Sequence, residues 1–305
     1  QKDDIMTDKE KIDILKKKID RADAIVVGTA SGMSAASGLR FYYQDDDDYK
    51  KMAGSLREKY DVHNLFDAYY DRRLTIGEHW ALLLRSIKHL YEVPTGETYT
   101  DLAELLHGKN YYIVTTNQDA QLFRLFPAER ITRLQGDFRY FQCKRRCHDA
   151  VYYNKEMVYN LIDKIEGDSL PEKDIPKCPK CGGEMVDWVR SREFLQGKEY
   201  EHEFERYMKF LRDNMKKNVL FLELGVGMMT PMFIKEPFMN MVYQWPDAFY
   251  ITVNPKHAII PKEIASKSLD IQDDIAFVLR EALGKPTDHL VREDRMNIFD
   301  SGKIY

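Results

Sequence analysis

The chain has 305 residues, a net charge of −4, 44% hydrophobic and 31% charged residues, the balance of a soluble globular enzyme or binding protein with one large core and a smaller module. The acidic surplus argues against a general nucleic-acid binder, leaving room only for local basic patches. No apolar run approaches the roughly 20 residues of a membrane span, and Gln1 to Asp13 lacks the apolar stretch of a signal peptide, so a cytoplasmic protein that engages neither membrane nor nucleic acid is expected.

Ile12, Leu15 and Ile19 share one face and Lys16, Lys17 and Lys18 largely the other, which predicts an amphipathic helix. It runs into an apolar strand, Ala24 to Val27, that ends at Gly28. From Tyr42 to about Leu74 the chain is polar and aromatic, and Asp45 to Asp48 reads as a solvated loop because like charges repel. A helical insertion is expected at about 42–80, followed by a helix over Leu82 to Tyr91. Tyr111 to Val114, Val219 to Leu222 and Phe249 to Val253 are further strands, and Ile275 to Leu283 is helical. Continuous rather than alternating apolar runs imply strands covered on both faces, hence an α/β, doubly wound fold with a Rossmann-like parallel sheet. Between about Gln142 and Asn214 such strands give way to cysteines, prolines and charged helix formers. The expected division is therefore a large domain of residues 1–141 and 215–305 and a small domain of residues 142–214.

All four cysteines fall in that small domain: Cys143, Cys147, Cys178 and Cys181. Two short-spaced pairs supply the four soft ligands of a tetrahedral zinc, and the glycines of Cys178-Pro-Lys-Cys-Gly-Gly183 allow a tight knuckle. With no position left for water, one structural zinc ion per chain is expected. Lys144, Arg145 and Arg146 read as a solvated knuckle surface, with docking of an acidic partner as the alternative.

After the first strand comes Gly28-Thr-Ala-Ser-Gly-Met-Ser-Ala-Ala-Ser-Gly-Leu-Arg40, whose small residues let backbone approach a pyrophosphate. Close packing alone also produces such turns. The segment resembles the cofactor loop of sirtuins, and four more segments resemble that family in order. Thr115-Thr-Asn-Gln-Asp119 is similar to its Thr-Gln-Asn-Ile-Asp motif. Leu134-Gln-Gly136 falls where its catalytic His-Gly lies. Glu223-Leu-Gly-Val-Gly227 resembles its Gly-Thr-Ser segment, and Thr252-Val-Asn254 its Ile-Asn strand end. The resemblance implies a sirtuin-type fold with a small zinc-ribbon domain and NAD in the cleft between domains. It assigns Asn117, Asp119 and Gln135 to catalysis. It assigns Gly28, Ala30, Ser31, Ser37, Arg40, Phe41, Asn117, Gly225, Val226, Gly227 and Asn254 to the cofactor. Asp119 also reads as a helix N-cap, Ser34 as a helix cap and Asn254 as a turn former.

The departures carry the functional reading. The family's Pro-Asp-Phe-Arg is replaced by Arg40-Phe-Tyr-Tyr43, and the hydroxyls of Gly-Thr-Ser are lost. Where the family has a peptide-binding Val-Val-x-Phe-Gly-Glu, this chain has Trp188-Val-Arg-Ser-Arg-Glu-Phe194. Arg190 and Arg192 are therefore candidates for substrate contact, or else a solvated rim. A deacylase base must accept a ribose hydroxyl proton. Histidine does so near neutral pH, whereas Gln135 cannot. Losing a general base costs about 10²–10⁴-fold, yet departure of nicotinamide depends mainly on positioning and electrostatics.

This pattern resembles the class M sirtuins of bacteria and some fungi. That resemblance implies mono-ADP-ribosylation of a protein acceptor, a lipoylated carrier related to the glycine-cleavage H protein, in oxidative stress, with a macrodomain protein acting on the product. A slow deacylase, an NAD hydrolase and a silent NAD or ADP-ribose sensor are the alternatives.

Overall fold

The computed structural model describes residues 5–292. Its strands are β1 (Ala24–Thr29), β2 (Tyr111–Thr115), β3 (Ile131–Arg133), β4 (Gly136–Cys143), β5 (Val151–Tyr153), β6 (Met185–Val189), β7 (Val219–Leu224), β8 (Ala248–Val253) and β9 (Ser268–Ile271). They form a six-stranded parallel sheet, order β3-β2-β1-β7-β8-β9, and a three-stranded antiparallel sheet, order β5-β4-β6. Two compact units result. The first comprises the chain through Gly38, Thr95–Gln135 and the residues from Tyr200, and the second Leu39–Pro94 and Gly136–Glu199. No helix among the described residues is long and apolar enough to cross a membrane.

In the first unit every residue of β1 and β7 is buried, as strands covered on both faces require. Helices Asp8–Arg21, Glu97–Leu105 and Ile275–Ala282 cover one face through Leu15, Ile19, Leu102 and Leu279. Ile12, Leu15 and Ile19 are the buried stripe of the first of these, as their spacing predicts. Helix Lys235–Gln244 covers the other face through Phe238 and Val242. Gly28 takes part in this packing. A Cβ there would sit 2.4 Å from Ile234 Cγ2 and 2.9 Å from Phe238 Cε2, so glycine lets helix and strand approach.

The second unit has its own core, in which Phe41, Trp80 and Leu84 join Phe141, Val158 and Met185. Trp80 meets Phe141 edge-on at 5.2 Å. Residues 39–94 thus pack with the cysteine-bearing segment and are not an insertion carried by the large domain. Conversely, helix Lys198–Asn214 contributes Tyr207 and Phe210 to the first unit, against Tyr112 at 5.6 and 5.5 Å. Both shifts from the expected boundaries follow apolar side chains to the nearest core.

Two further expectations need correction. Of the run Asp45 to Asp48 expected as a loop, Asp46 to Asp48 open a helix: Asp46 caps Asp47–Ala53 by accepting from Tyr49 N at 2.8 Å, where acidic groups suit the unsatisfied amides. Asp45 is gripped by Arg57, which holds its carboxyl down at about 2. The helix expected from Leu82 begins at Ile76, closed by a capping box between Thr75 and Glu78.

Burial would raise the Glu78 pKa, but Lys59 at 2.8 Å, the Tyr60 hydroxyl at 2.6 Å and the Thr75 N–H at 3.0 Å outweigh it and hold the group at about 2. A folded-state pKa depressed below the ordinary value of about 4.3 contributes stability that is complete above that pH and lost as pH falls towards 2. Glu78→Gln is therefore expected to lower stability at neutral pH and flatten its decline between about pH 4 and 2. Urea unfolding across that range checks this, and an unchanged slope refutes it.

Candidate functional site

From β1 the chain winds outward through β2 and β3, and from β7 outward through β8 and β9 on the opposite side. The reversal lies between β1 and β7, and ligands of open parallel sheets bind beyond the carboxyl ends at such a switch point. The two loops emerging there are locked backbone to backbone. Gly32 N donates to Gly225 O at 3.0 Å. A Cβ on Gly32 would meet Gly225 Cα at 2.6 Å, and one on Gly225 would meet Met33 N at 2.5 Å. Gly225 also has φ +68, which disfavours side chains. Ala30 and Ser31 open the short helix Ser31–Ala36 at this junction.

Asn117, just beyond β2, donates through Nδ2 to Ala30 O at 2.9 Å, while Thr115 Oγ1 accepts its backbone N–H at 3.0 Å. Asp119 is buried. It accepts the hydroxyl of Ser34, the N–H of Gln121 at 3.0 Å and, at 3.4 Å, the hydroxyl of Tyr99. Its turn-capping bond and its role in the polar cluster therefore coexist. Tyr99 lies 3.5 Å from Asn117 Nδ2. Burial first, then the charge of Asp119, holds its phenol well above the ordinary range, so it stays a protonated donor. Ser34 is not a helix cap, since the helix is capped at Ala30 and its own hydroxyl goes to Asp119. Tyr99 carries no sequence signal because only the tertiary fold brings helix Glu97–Leu105 to the motif.

Gln135 follows β3, and its Oε1 accepts from Gln118 Nε2 at 3.2 Å. Its carbonyl end is anchored and its amide remains a donor, without proton-accepting capacity.

Other expected cofactor residues are placed differently. Ser37 ends the short helix and donates to Ser34 O at 2.7 Å. Asn254 is 6% exposed, with Oδ1 accepting from Lys256 N and His257 N, both at 2.9 Å, and Nδ2 donating to Val226 O at 3.2 Å. These are the bonds of a turn former that also fixes the Val226 loop. A Cβ at Gly227 would have room, meeting beyond its chain neighbours only His257 Cδ2 at 3.9 Å. In the second unit Phe41 is fully buried, stacked on Tyr42 at 4.7 Å and edge-on to His89 at 5.3 Å. Its ring packs in the core of the second unit. Arg40 O accepts from Tyr43 N and Gln44 N in the adjoining turn. Arg190 lies over the Phe194 ring at 4.3 Å and donates to Gln196 Oε1 at 3.0 Å, and Arg192 is exposed.

The four cysteine sulfurs lie within 4.8 Å of one another, with Cys143–Cys181 and Cys147–Cys178 both at 3.6 Å. Four Zn–S bonds of about 2.3 Å in a tetrahedron require S–S separations of about 3.8 Å, so the residues fit a structural zinc. His148 supports the cluster from outside, Nδ1 at 3.0 Å from Cys147 Sγ and Nε2 at 2.6 Å from the Tyr152 hydroxyl.

No family model matches the chain. A Staphylococcus aureus (strain Mu50 / ATCC 700699) protein described as a protein ADP-ribosyltransferase is 31% identical over 284 residues, 92% of this chain and 89% of the relative. The chain belongs to the family of that protein ADP-ribosyltransferase. A Fusarium oxysporum f. sp. cubense relative, described as a probable bifunctional ADP-ribose hydrolase/ADP-ribosyltransferase, is 28% identical over 76% of this chain, which spans 40% of that protein. The transferase's fold matches a sirtuin structure solved for substrate affinity at TM-score 0.57 and 17% identity, covering 92% of this chain and 99% of that one. A Sir2 homologue–NAD complex gives 0.53 and 17%, covering 89% and 92%.

In the transferase, Gly32→Ala and Gly225→Ala should each cost about 1–3 kcal/mol through backbone collision, whereas Gly227→Ala should stay within about 0.5 kcal/mol. Denaturant unfolding tests the contrast, and equal costs at all three positions would refute the interlock. Elemental analysis should find one zinc per chain, lost in Cys178→Ser.

Proposed function

We propose that the first unit binds NAD at the carboxyl ends of β1 and β7, and that the enzyme transfers one ADP-ribose to a protein acceptor. When bound, NAD supplies the ADP-ribosyl group and nicotinamide as leaving group. The observation that carries this reading is the pairing of an intact Asn117–Asp119 cluster with Gln135, a residue unable to act as a base. The backbone of Ala30–Gly32 and Gly225–Val226, free of bulky side chains, suits a pyrophosphate. Asn117 is braced to position a ribose hydroxyl, and Asp119, held by Ser34 and Gln121, to orient the nicotinamide amide. Gln135 donates to a ribose hydroxyl or carbonyl without removing a proton, so the acceptor's own nucleophile forms the new bond and releases its proton to solvent.

The finer assignment is a class M sirtuin acting in the cytoplasm on a lipoylated glycine-cleavage-H-like carrier under oxidative stress, with Arg190 and Arg192 meeting the acceptor. Removal of the mark by a macrodomain protein is supported by the Fusarium relative, whose description joins an ADP-ribose hydrolase to the transferase.

Incubation with NAD and candidate acceptors, read by intact mass, should show one ADP-ribose added to the acceptor. Free ADP-ribose alone would make the protein a hydrolase, and unchanged NAD would make it a sensor. Asn117→Ala should reduce the adduct by roughly 10²–10³-fold, and an undiminished adduct would overturn the site. Gln118→Ile, which removes the anchor of Gln135, should lower turnover with NAD affinity unchanged, measured by single-turnover kinetics beside NAD titration.

A further inference from the structure

The second unit contains a cavity of about 560 Å³ lined by residues of Tyr69–Leu83 and of the segment that carries the cysteines. That volume is in the range of small-molecule sites, about 300–1,000 Å³. None of the residues assigned above to NAD, zinc or acceptor lines it.

Its walls are of two kinds. Leu74, Leu83 and Met185 are its apolar lining, and Tyr69, Tyr70 and Trp80 supply aromatic rings. Tyr69 and Tyr70 meet edge-on at 4.8 Å. Asp187 also lines the cavity although only 7% exposed. Its Oδ2 accepts from the Tyr69 hydroxyl at 2.5 Å, and among the described residues no lysine or arginine forms an ion pair with it. The His79 ring lies tilted against Tyr69 at 5.1 Å, and burial lowers its pKa, so a neutral imidazole supplies no compensating charge at neutral pH. The remaining charges of the lining are mostly matched. Lys144 pairs with Glu184 at 2.9 Å, and Asp71 pairs with Arg73, which lies outside the lining. Arg72 is exposed, and Glu193 accepts the hydroxyl of Ser191 at 3.3 Å. The interior thus presents a buried carboxyl without a cation, among aromatic rings. A buried carboxylate is costly until paired, and ring faces attract organic cations.

We propose that this cavity binds an organic cation, a primary or methylated ammonium on an aliphatic stem. The ammonium would sit on Asp187 beside Tyr69, and the stem against Leu74, Leu83 and Met185. Both a lysine side chain of a protein segment and a free alkylamine present this chemistry.

The test uses the full-length zinc-loaded protein and saturation-transfer NMR titrations with n-butylammonium, n-butanol and butyrate, three probes with matched stems. Butylammonium should bind at least about tenfold more tightly than butanol, and butyrate should not compete. Asp187→Asn should bring butylammonium down to the affinity of butanol with zinc content unchanged. Should that variant lose zinc, Leu74→Trp, which fills the cavity from its half-buried rim, should abolish binding instead. Equal affinity for the cation and the alcohol, preference for butyrate, or cation binding that survives whichever variant keeps its zinc would overturn the proposal. N-acetyl-lysine N-methylamide separates the two sources. Tighter binding than butylammonium identifies a protein side chain, and weaker binding a free amine, either result supporting the site. No readout involves NAD, so the outcome is independent of the transferase mechanism.

Discussion

The contact between Gly32 and Gly225 is the constraint on which the switch-point end of the first unit depends. Two loops leave adjacent parallel strands at the point where the winding reverses, and they touch through main chain alone. No side chain fits between them, so the sequence must be glycine on both sides. Two asparagines then fix the loops from one strand further out. Asn117, following β2, ties to Ala30 O, and Asn254, following β8, ties to Val226 O. The asparagine beyond each outer strand therefore positions the loop of the inner neighbour.

What lies under the Gly225 loop is equally fixed. Glu223 is fully buried at the end of β7, where it takes the Lys235 ammonium, the Thr252 hydroxyl at 2.8 Å and the Tyr250 hydroxyl at 2.6 Å. Lys235 also reaches His257 O at 3.3 Å. A buried ion pair is tolerable when its remaining hydrogen-bond capacity is filled, and here the filling comes from β8 and from the helix whose Phe238 packs on Gly28. The same helix is thus held to the sheet by close packing at one strand and by charge at the next. The loss of hydroxyls in Gly225-Val226-Gly227 has not left this loop loose, because its anchors are a backbone carbonyl and the network beneath.

How much of this was legible follows from the range of each interaction. β1, β2, β7 and β8 are visible as apolar runs because burial on both faces removes polar residues from them. β3 and β9 are short and escape that criterion, and β6 lies in a region where charged residues dominate. The zinc quartet is legible because ligand chemistry demands four sulfurs whatever the intervening sequence. Residue roles decided by tertiary packing are not legible. Phe41 adjoins the cofactor loop in sequence yet its ring belongs to the core around Trp80 and Phe141. Gly28 is also required by helix packing, which its motif position does not reveal. Tyr99 reaches Asp119 from a distant helix, and nothing in its neighbourhood marks it.

Gln135 gains meaning from Gln118. In the sirtuin motif that Thr115-Thr-Asn-Gln-Asp119 resembles, the residue before the aspartate is isoleucine, and the residue before the glycine of the other motif is histidine. Both positions are glutamine in this chain, and the two side chains bond to each other at 3.2 Å. An isoleucine could not hold a glutamine here, and a lone glutamine would be free to rotate its amide. Paired, Gln135 has its oxygen occupied and its nitrogen committed to donating. A site that has only lost its base would have no use for such an anchor. The proposed reaction, in which a donor faces a ribose hydroxyl or carbonyl, would use it, and the pairing supports a working role for the glutamine in that reaction.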